Sequence, residues 1–375
     1  MKRALIVVLG LTAVLGVLAL PPGLSAQTKA AAYKSPRTSF GQPDLGGTWS
    51  NASLTPESRP AAYGDRAIHT PQEVAELEKA MVEEVQRGNA VIAPDRPAPK
   101  VGGDGPQAIL RPEYNSVAAA GATGAYDRGW LDPGDRVMRV NGQPRTSLLT
   151  TPNGRPPARK ASAPVTAPAR SGGLGGEGGE APGRGAATAG RGGGGAGNSD
   201  DPERRTLSDR CVIFGRNVGP PMQSNGFYNN NYRFVQGPTS IAITSEMIHD
   251  TRVVRLNSKH RTDGIRPWFG DSIGKWEGDT LVVETTNFPQ AQAYQGSWQN
   301  LTVIEKFRRV APDRLYYQYI IRDPTFWDAD WGGEYEFQKL TGEIYEYACH
   351  EGNYAMENML AGARAEERAR AGASR

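Results

Sequence analysis

The sequence predicts a mainly β protein: an antiparallel up-and-down barrel with an irregular N-terminal segment and one helix. Three observations carry that expectation. Short β-favouring segments follow one another from Tyr232 to Cys349. Tight turns such as Ala311-Pro312-Asp313 and Thr341-Gly342 separate most of them, so sequential strands should pair antiparallel. Along Arg314–Arg322, Leu315, Tyr317, Tyr319 and Ile321 share one face, while Tyr316, Gln318, Ile320 and Arg322 share the other. The mixed second face suits an enclosed, partly wet cavity. A β-sandwich with one amphipathic surface is the alternative.

From the N-terminus, residues 1–26 read as a signal peptide. Lys2 and Arg3 precede the apolar run Ala4 to Leu20, and Leu24-Ser25-Ala26 offers a cleavage site. An uncleaved anchor is the rival; Pro21-Pro22 favours cleavage, which leaves no stable membrane span. Residues 27–43 are polar and read as a mobile N-terminus. The 44–154 segment is expected to pack on the core. It carries Gly47-Thr48-Trp49, a helix from Thr70-Pro71-Gln72-Glu73 to Arg87, and a hairpin in Arg145 to Pro156 turning at Asn153-Gly154. Val74, Leu77 and Met81 form the helix's narrow apolar stripe. The G-x-W resembles that of lipocalin-like (calycin) barrels, which implies a tryptophan laid across a closed end.

Residues 155–205 have almost nothing to bury. Between Ser171 and Asp200 fourteen of thirty residues are glycine, so this insertion reads as disordered. The barrel core is expected over 206–360, with a charged tail over 361–375. Its strands are expected at Tyr232–Gln236, Ser240–Met247, Asp250–Leu256, Gly274–Glu277, Thr280–Phe288, Leu301–Val310, Arg314–Arg322, Tyr335–Leu340 and Glu343–Cys349. The strongest is the one that Glu277-Gly278-Asp279 starts and Asn287-Phe288-Pro289 ends.

A net charge of +3 from 43 Lys and Arg against 40 Asp and Glu gives no reason to expect nucleic acid. There is no Walker A loop, and the glycine-rich stretch lacks the strand and helix a phosphate cradle requires; no nucleophile elbow is read either. Cys211 and Cys349 are the only cysteines. In an exported chain they are expected to be bonded, a link worth roughly 4–5 kcal/mol if unstrained.

Chemistry should rest on histidines and carboxylates. His249, His260 and His350, with Glu351, could hold one zinc or iron ion, although their spacing matches no compact motif. Without a cofactor, His249 or His350 could form an acid–base pair with Glu284 or Asp250. Glu284 and Glu305 interrupt apolar strands and would need partners there, with Arg252, Arg308 or Arg322 available. Arg252, Trp276, Tyr317 and Tyr347 are the expected ligand-binding set.

Two long motifs carry a family resemblance. Trp276-Glu277-Gly278-Asp279-Thr280-Leu281-Val282-Val283-Glu284-Thr285-Thr286-Asn287-Phe288, after Gly270-Asp271-Ser272, is one. Tyr345-Glu346-Tyr347-Ala348-Cys349-His350-Glu351-Gly352-Asn353-Tyr354 is the other. With Ile248-His249-Asp250, they resemble signatures of an uncharacterised family of exported bacterial proteins. That resemblance implies export and brings no catalytic residues. The expected function is therefore a periplasmic or secreted barrel binding a small amphipathic or aromatic molecule. A lyase, isomerase or hydrolase using the same residues, and a structural envelope protein, are the alternatives.

Overall fold

The computed structural model describes residues 33–88, 134–164, 201–205, 207–213, 219–223 and 229–373. The expected signal peptide, the irregular stretch 89–130 and the glycine-rich 171–200 lie outside the described residues. In chain order the elements are β1 (Gly47–Ser50), α1 (Pro71–Gly88), the short β2 (Arg139–Val140) and β3 (Gln143–Pro144), β4 (Asn231–Gln236), β5 (Ser240–Ser245), β6 (Thr251–Leu256), β7 (Asp271–Glu277), β8 (Thr280–Thr286), β9 (Thr302–Ala311), β10 (Arg314–Arg322), β11 (Trp331–Lys339) and α2 (Ala355–Ala373).

Nine strands close into a barrel. β4 to β11 follow in sequence order, and β1 bridges β11 and β4. The barrel is therefore not built from 206–360 alone: the 44–154 segment supplies its closing strand. All pairs are antiparallel except β6 with β7, where Val254 stands beside Ser272 and Leu256 beside Gly274. The expected strand at Glu343–Cys349 is absent and that segment is irregular. β11 pairs with β10 along one edge, and along the other with β1 at Gln338 and Lys339 and with Leu149 at Gly333, so no ladder is left for that segment to join.

Strand parity settles which face is inside. Leu281, Val283, Phe307, Leu315, Tyr317, Tyr319, Ile321, Tyr335 and Phe337 are fully buried in the lumen. Tyr316, Gln318, Ile320 and Arg322 face outward, so the cavity expectation had the faces of β10 reversed. Trp49 is fully buried near one end of the barrel, where its Nε1 donates to the Leu45 carbonyl at 3.0 Å and Arg309 stacks 5.5 Å from its ring. This is called the Trp49 end; Trp331 and Arg252 lie toward the other, the Trp331 end.

At the Trp331 end the free edge of β11 is covered by Leu148-Leu149-Thr150, which bonds main chain to main chain at 2.9 Å on both sides of Gly333. Only glycine fits beneath: a Cβ at Gly333 would meet the Leu148 carbonyl oxygen at 2.7 Å. The RTSLL run is thus an edge cover and not half of a hairpin. Asn153-Gly154 is a turn packed on Arg59, while the true hairpin turns at Asn141-Gly142, both with positive φ.

α1 forms where its capping box predicts. The Glu73 N–H donates to Thr70 Oγ1 at 3.2 Å, and the Thr70 N–H donates to Glu73 Oε2 at 2.8 Å. The Arg66 guanidinium beside Glu73 holds its carboxyl down to about 2. Val74, Leu77 and Met81 bury into a small satellite core with Leu54, Tyr63 and Val137. Each such side chain contributes about 1.5–3 kcal/mol. Residues 361–373 of the expected tail belong to a longer helix, α2, most of which is exposed.

Candidate functional site

The parallel step from β6 to β7 creates the site. β6 ends toward the Trp49 end and β7 starts toward the Trp331 end, so the 257–270 connection must return along the outer wall. That return lays His260 between two outward-facing carboxylates. Its Nδ1 lies 3.0 Å from Asp271 Oδ2, and its Nε2 lies 3.2 Å from Glu284 Oε1.

The two carboxylates differ in kind. Asp271 Oδ1 accepts from the Arg255 guanidinium at 2.8 Å, and Oδ2 accepts from the Arg261 main-chain N–H at 2.8 Å. Burial alone would raise the Asp271 carboxyl. The hydrogen bonds from Arg261, His260 and Arg255 outweigh it and hold the group below its ordinary value. The Asp271 side chain is 6% exposed and that of Glu284 45% exposed. Asp271 is a fixed orienting group, and Glu284 is open to solvent.

An imidazole can donate to both carboxylates only as imidazolium; when neutral, one nitrogen presents a lone pair instead. With Asp271 holding Nδ1, the nitrogen placed to give and take a proton is Nε2, facing Glu284. The surrounding wall is apolar. Ile273, Glu284, Ile304 and Ile320 are register partners across β7, β8, β9 and β10. Those three isoleucines, and Val282 on the same face of β8, are half-buried. Lys275 and Arg322 stand near enough for Glu284 to raise them, behind the larger effects of their own partners Glu277 and Asp330. The result is a histidine–carboxylate pair on an apolar shelf rimmed by ion pairs.

A second polar constellation fills the lumen. Arg252 and Glu305 form a bidentate ion pair with both side chains almost fully buried. Burial alone would lower the Arg252 guanidinium, but the Glu305 charge and hydrogen bonds raise it. The Tyr317 hydroxyl donates to Glu305 Oε1 at 2.9 Å. Burial, reinforced by the Glu305 charge, pushes the Tyr317 hydroxyl well above its ordinary value, so it stays a neutral phenol. Nearer the Trp331 end, Glu57 Oε1 accepts from Tyr294 at 3.0 Å and Tyr319 at 3.3 Å.

The expected site residues are only partly brought together. Arg252 and Tyr317 do converge, on Glu305. Trp276 lies half-buried at the Trp49 end, and Tyr347 lies in the irregular C-terminal segment. Glu284 points outward because it shares parity with Val282, so its partner is neither His249 nor His350 but His260. His249 sits in the β5–β6 turn with Nδ1 3.1 Å from the Tyr347 carbonyl, while His350 and Glu351 are exposed. The four-residue metal set therefore does not assemble. Among the described residues no group of three or more His, Cys, Asp or Glu could hold a metal ion.

Cys211 and Cys349 are bonded, 138 residues apart, and the Tyr345 N–H donates to buried Glu246 at 3.1 Å. The Ile248-His249-Asp250 and Tyr345–Tyr354 motifs are thus neighbours. Sequence reasoning missed Asp271, whose signal was its place before a strand and after a loop carrying a histidine. Gly270-Asp271-Ser272-Ile273-Gly274 has G-x-S-x-G spacing, yet it makes no nucleophile elbow. Ser272 is buried inside strand β7 and shares a 2.8 Å hydrogen bond with Thr285. No protein-family model, no curated protein and no solved structure matches this chain.

Proposed function

We propose that the outer wall of β7–β10 binds a small amphipathic molecule and moves a proton to or from it. The carrying observation is His260, fixed at Nδ1 by a buried carboxylate and aimed at Nε2 toward an exposed one, on a shelf of half-buried aliphatic side chains. The apolar part of the ligand would lie over Ile273, Val282, Ile304 and Ile320, with its polar head at His260 and Glu284. The chemistry this supports is of lyase or isomerase type: Nε2 removes a proton from a carbon or oxygen acid, and Glu284 stabilises the imidazolium that forms.

Export to the periplasm or beyond belongs to the same reading, supported by the disulfide. No helix among the described residues is long and apolar enough to cross a membrane. The two long motifs favour membership in a family of exported bacterial proteins.

The test is a panel of amphipathic carbonyl and carboxylic compounds. Binding is followed by thermal shift, and solvent deuterium incorporation by proton NMR. The wild type should bind at least one member and exchange its acidic C–H. His260→Gln should lose exchange, and Glu284→Gln should slow it by about 10²-fold or more. Binding unaffected by both changes would move the ligand elsewhere, and no binding at all would leave a structural envelope protein.

A further inference from the structure

The lumen holds a piece of the chain itself. Met222 is fully buried inside the barrel, with Gln223 beside it. The Met222 N–H donates to the Tyr317 hydroxyl at 2.9 Å, and the Tyr335 hydroxyl donates to the Met222 carbonyl. The Tyr232 hydroxyl reaches the Gln223 carbonyl at 3.5 Å. The Gln223 side-chain amide donates to Glu57 and, at 3.2 Å, to the Tyr294 hydroxyl. Apart from Tyr232, the side chains that hold this dipeptide come from strands and loops far from it in sequence.

The polarity of each contact is set from behind. The Tyr317 proton is committed to Glu305, which the Arg252 ion pair fixes, so Tyr317 turns a lone pair toward the Met222 N–H. The Asn51 amide donates to the Tyr335 oxygen at 3.4 Å, leaving the Tyr335 proton for the Met222 carbonyl. One acceptor and one donor are therefore presented to the main-chain N–H and C=O of a single residue, Met222, with a carboxylate and a phenol for the adjoining carboxamide. A barrel core needs none of this: hydrophobic replacements of a buried ion pair are often neutral or stabilising. Such expenditure of buried polar groups is what a recognition site requires.

We propose that this end of the lumen is a binding site for a short peptide bearing a carboxamide side chain, occupied in the resting protein by residues 219–223 as a tethered ligand. It is separate from the His260 shelf and does not depend on it. Exchange between the tethered segment and a free peptide would couple lumen occupancy to ligand supply.

The first test is native-state hydrogen exchange on the wild-type protein. The Met222 and Gln223 amides should exchange by a local opening, about 100-fold or more faster than the buried amides of β10. Exchange only with global unfolding would show that the segment is permanent core and overturn the proposal. The second test uses the Met222→Gly, Gln223→Gly double variant and the acetylated, amidated pentapeptide Gly-Pro-Pro-Met-Gln, titrated by calorimetry. The variant should bind the peptide at least about tenfold more tightly than the wild type, and adding Tyr317→Phe should cost about tenfold. A folded double variant that ignores the peptide would equally overturn the proposal. If the double variant does not fold, the wild-type exchange measurement still decides.

Discussion

Glu284 and Glu305 stand on adjacent strands, one residue out of step. Glu284 pairs in register with Ile304, and Glu305 pairs with Val283. That single step sends one carboxylate outward to His260 and the other inward to Arg252. Both interrupt apolar strands, and both find a cationic or protonatable partner. The difference is solvent. Glu305 is sealed at 0% exposure and acts only on groups enclosed in the lumen. Glu284, half-open, can exchange partners. Parity along a strand thus separates an enclosed ion pair from a solvent-facing one.

Breaking the inner pair should have the largest effect. Glu305→Ala leaves Arg252 buried without its counter-charge and should cost about 3–5 kcal/mol in urea unfolding. The double change Arg252→Met, Glu305→Leu should recover most of that loss, because no charge is then stranded. If the double variant were as unstable as the single, the ion pair would be more than a desolvation problem. Next is the edge cover that shuts the same end: Gly333→Ala should cost about 1–3 kcal/mol through its collision with the Leu148 carbonyl and the Tyr319 ring.

The outer pair should respond more gently, and with pH. The folded-state pKa of Asp271 is depressed, so its contribution is present above the unfolded value of about 3.9 and is lost as pH falls through the folded value. Asp271→Asn should therefore destabilise at pH 7 by about 1–2 kcal/mol, and the gap from wild type should close in acid. A gap that persisted below pH 2 would mean that the loss is one of packing. Smallest of all, His260→Gln should change stability by about 1 kcal/mol, since Glu284 is half-exposed and Asp271 keeps its bonds from Arg255 and the Arg261 main chain, while removing proton transfer. A large stability loss there would recast His260 as a staple for the 257–270 crossover.

Much of the fold was legible because local signals and tertiary context agreed. The Thr70–Glu73 capping box placed α1, and Glu277-Gly278-Asp279 placed the β7–β8 turn. The disulfide followed from two cysteines in a chain that reads as exported. The site was legible only in pieces. Glu284 and His260 were both singled out, but for different partners, because they are 24 residues apart and meet only after the crossover folds back. Starting β7 at Gly274 hid Asp271 and with it the parallel pairing. The 219–223 segment carries no strand or helix signal, and its partners lie 71 to 113 residues away along the chain in Tyr294, Tyr317 and Tyr335.

The sequence by itself determined which segments are extended, where the main helix starts and which cysteines could pair, since propensity, turn chemistry and capping act over a few residues. The tertiary structure decided which face of each strand is inside, that β1 closes the barrel, and that one step is parallel. Those outcomes depend on closure: a sheet with no free edge must choose one interior, and every side chain's role follows from that choice. His260 became a candidate acid–base residue, and Glu305 a sealed one, only when the ring of strands was complete.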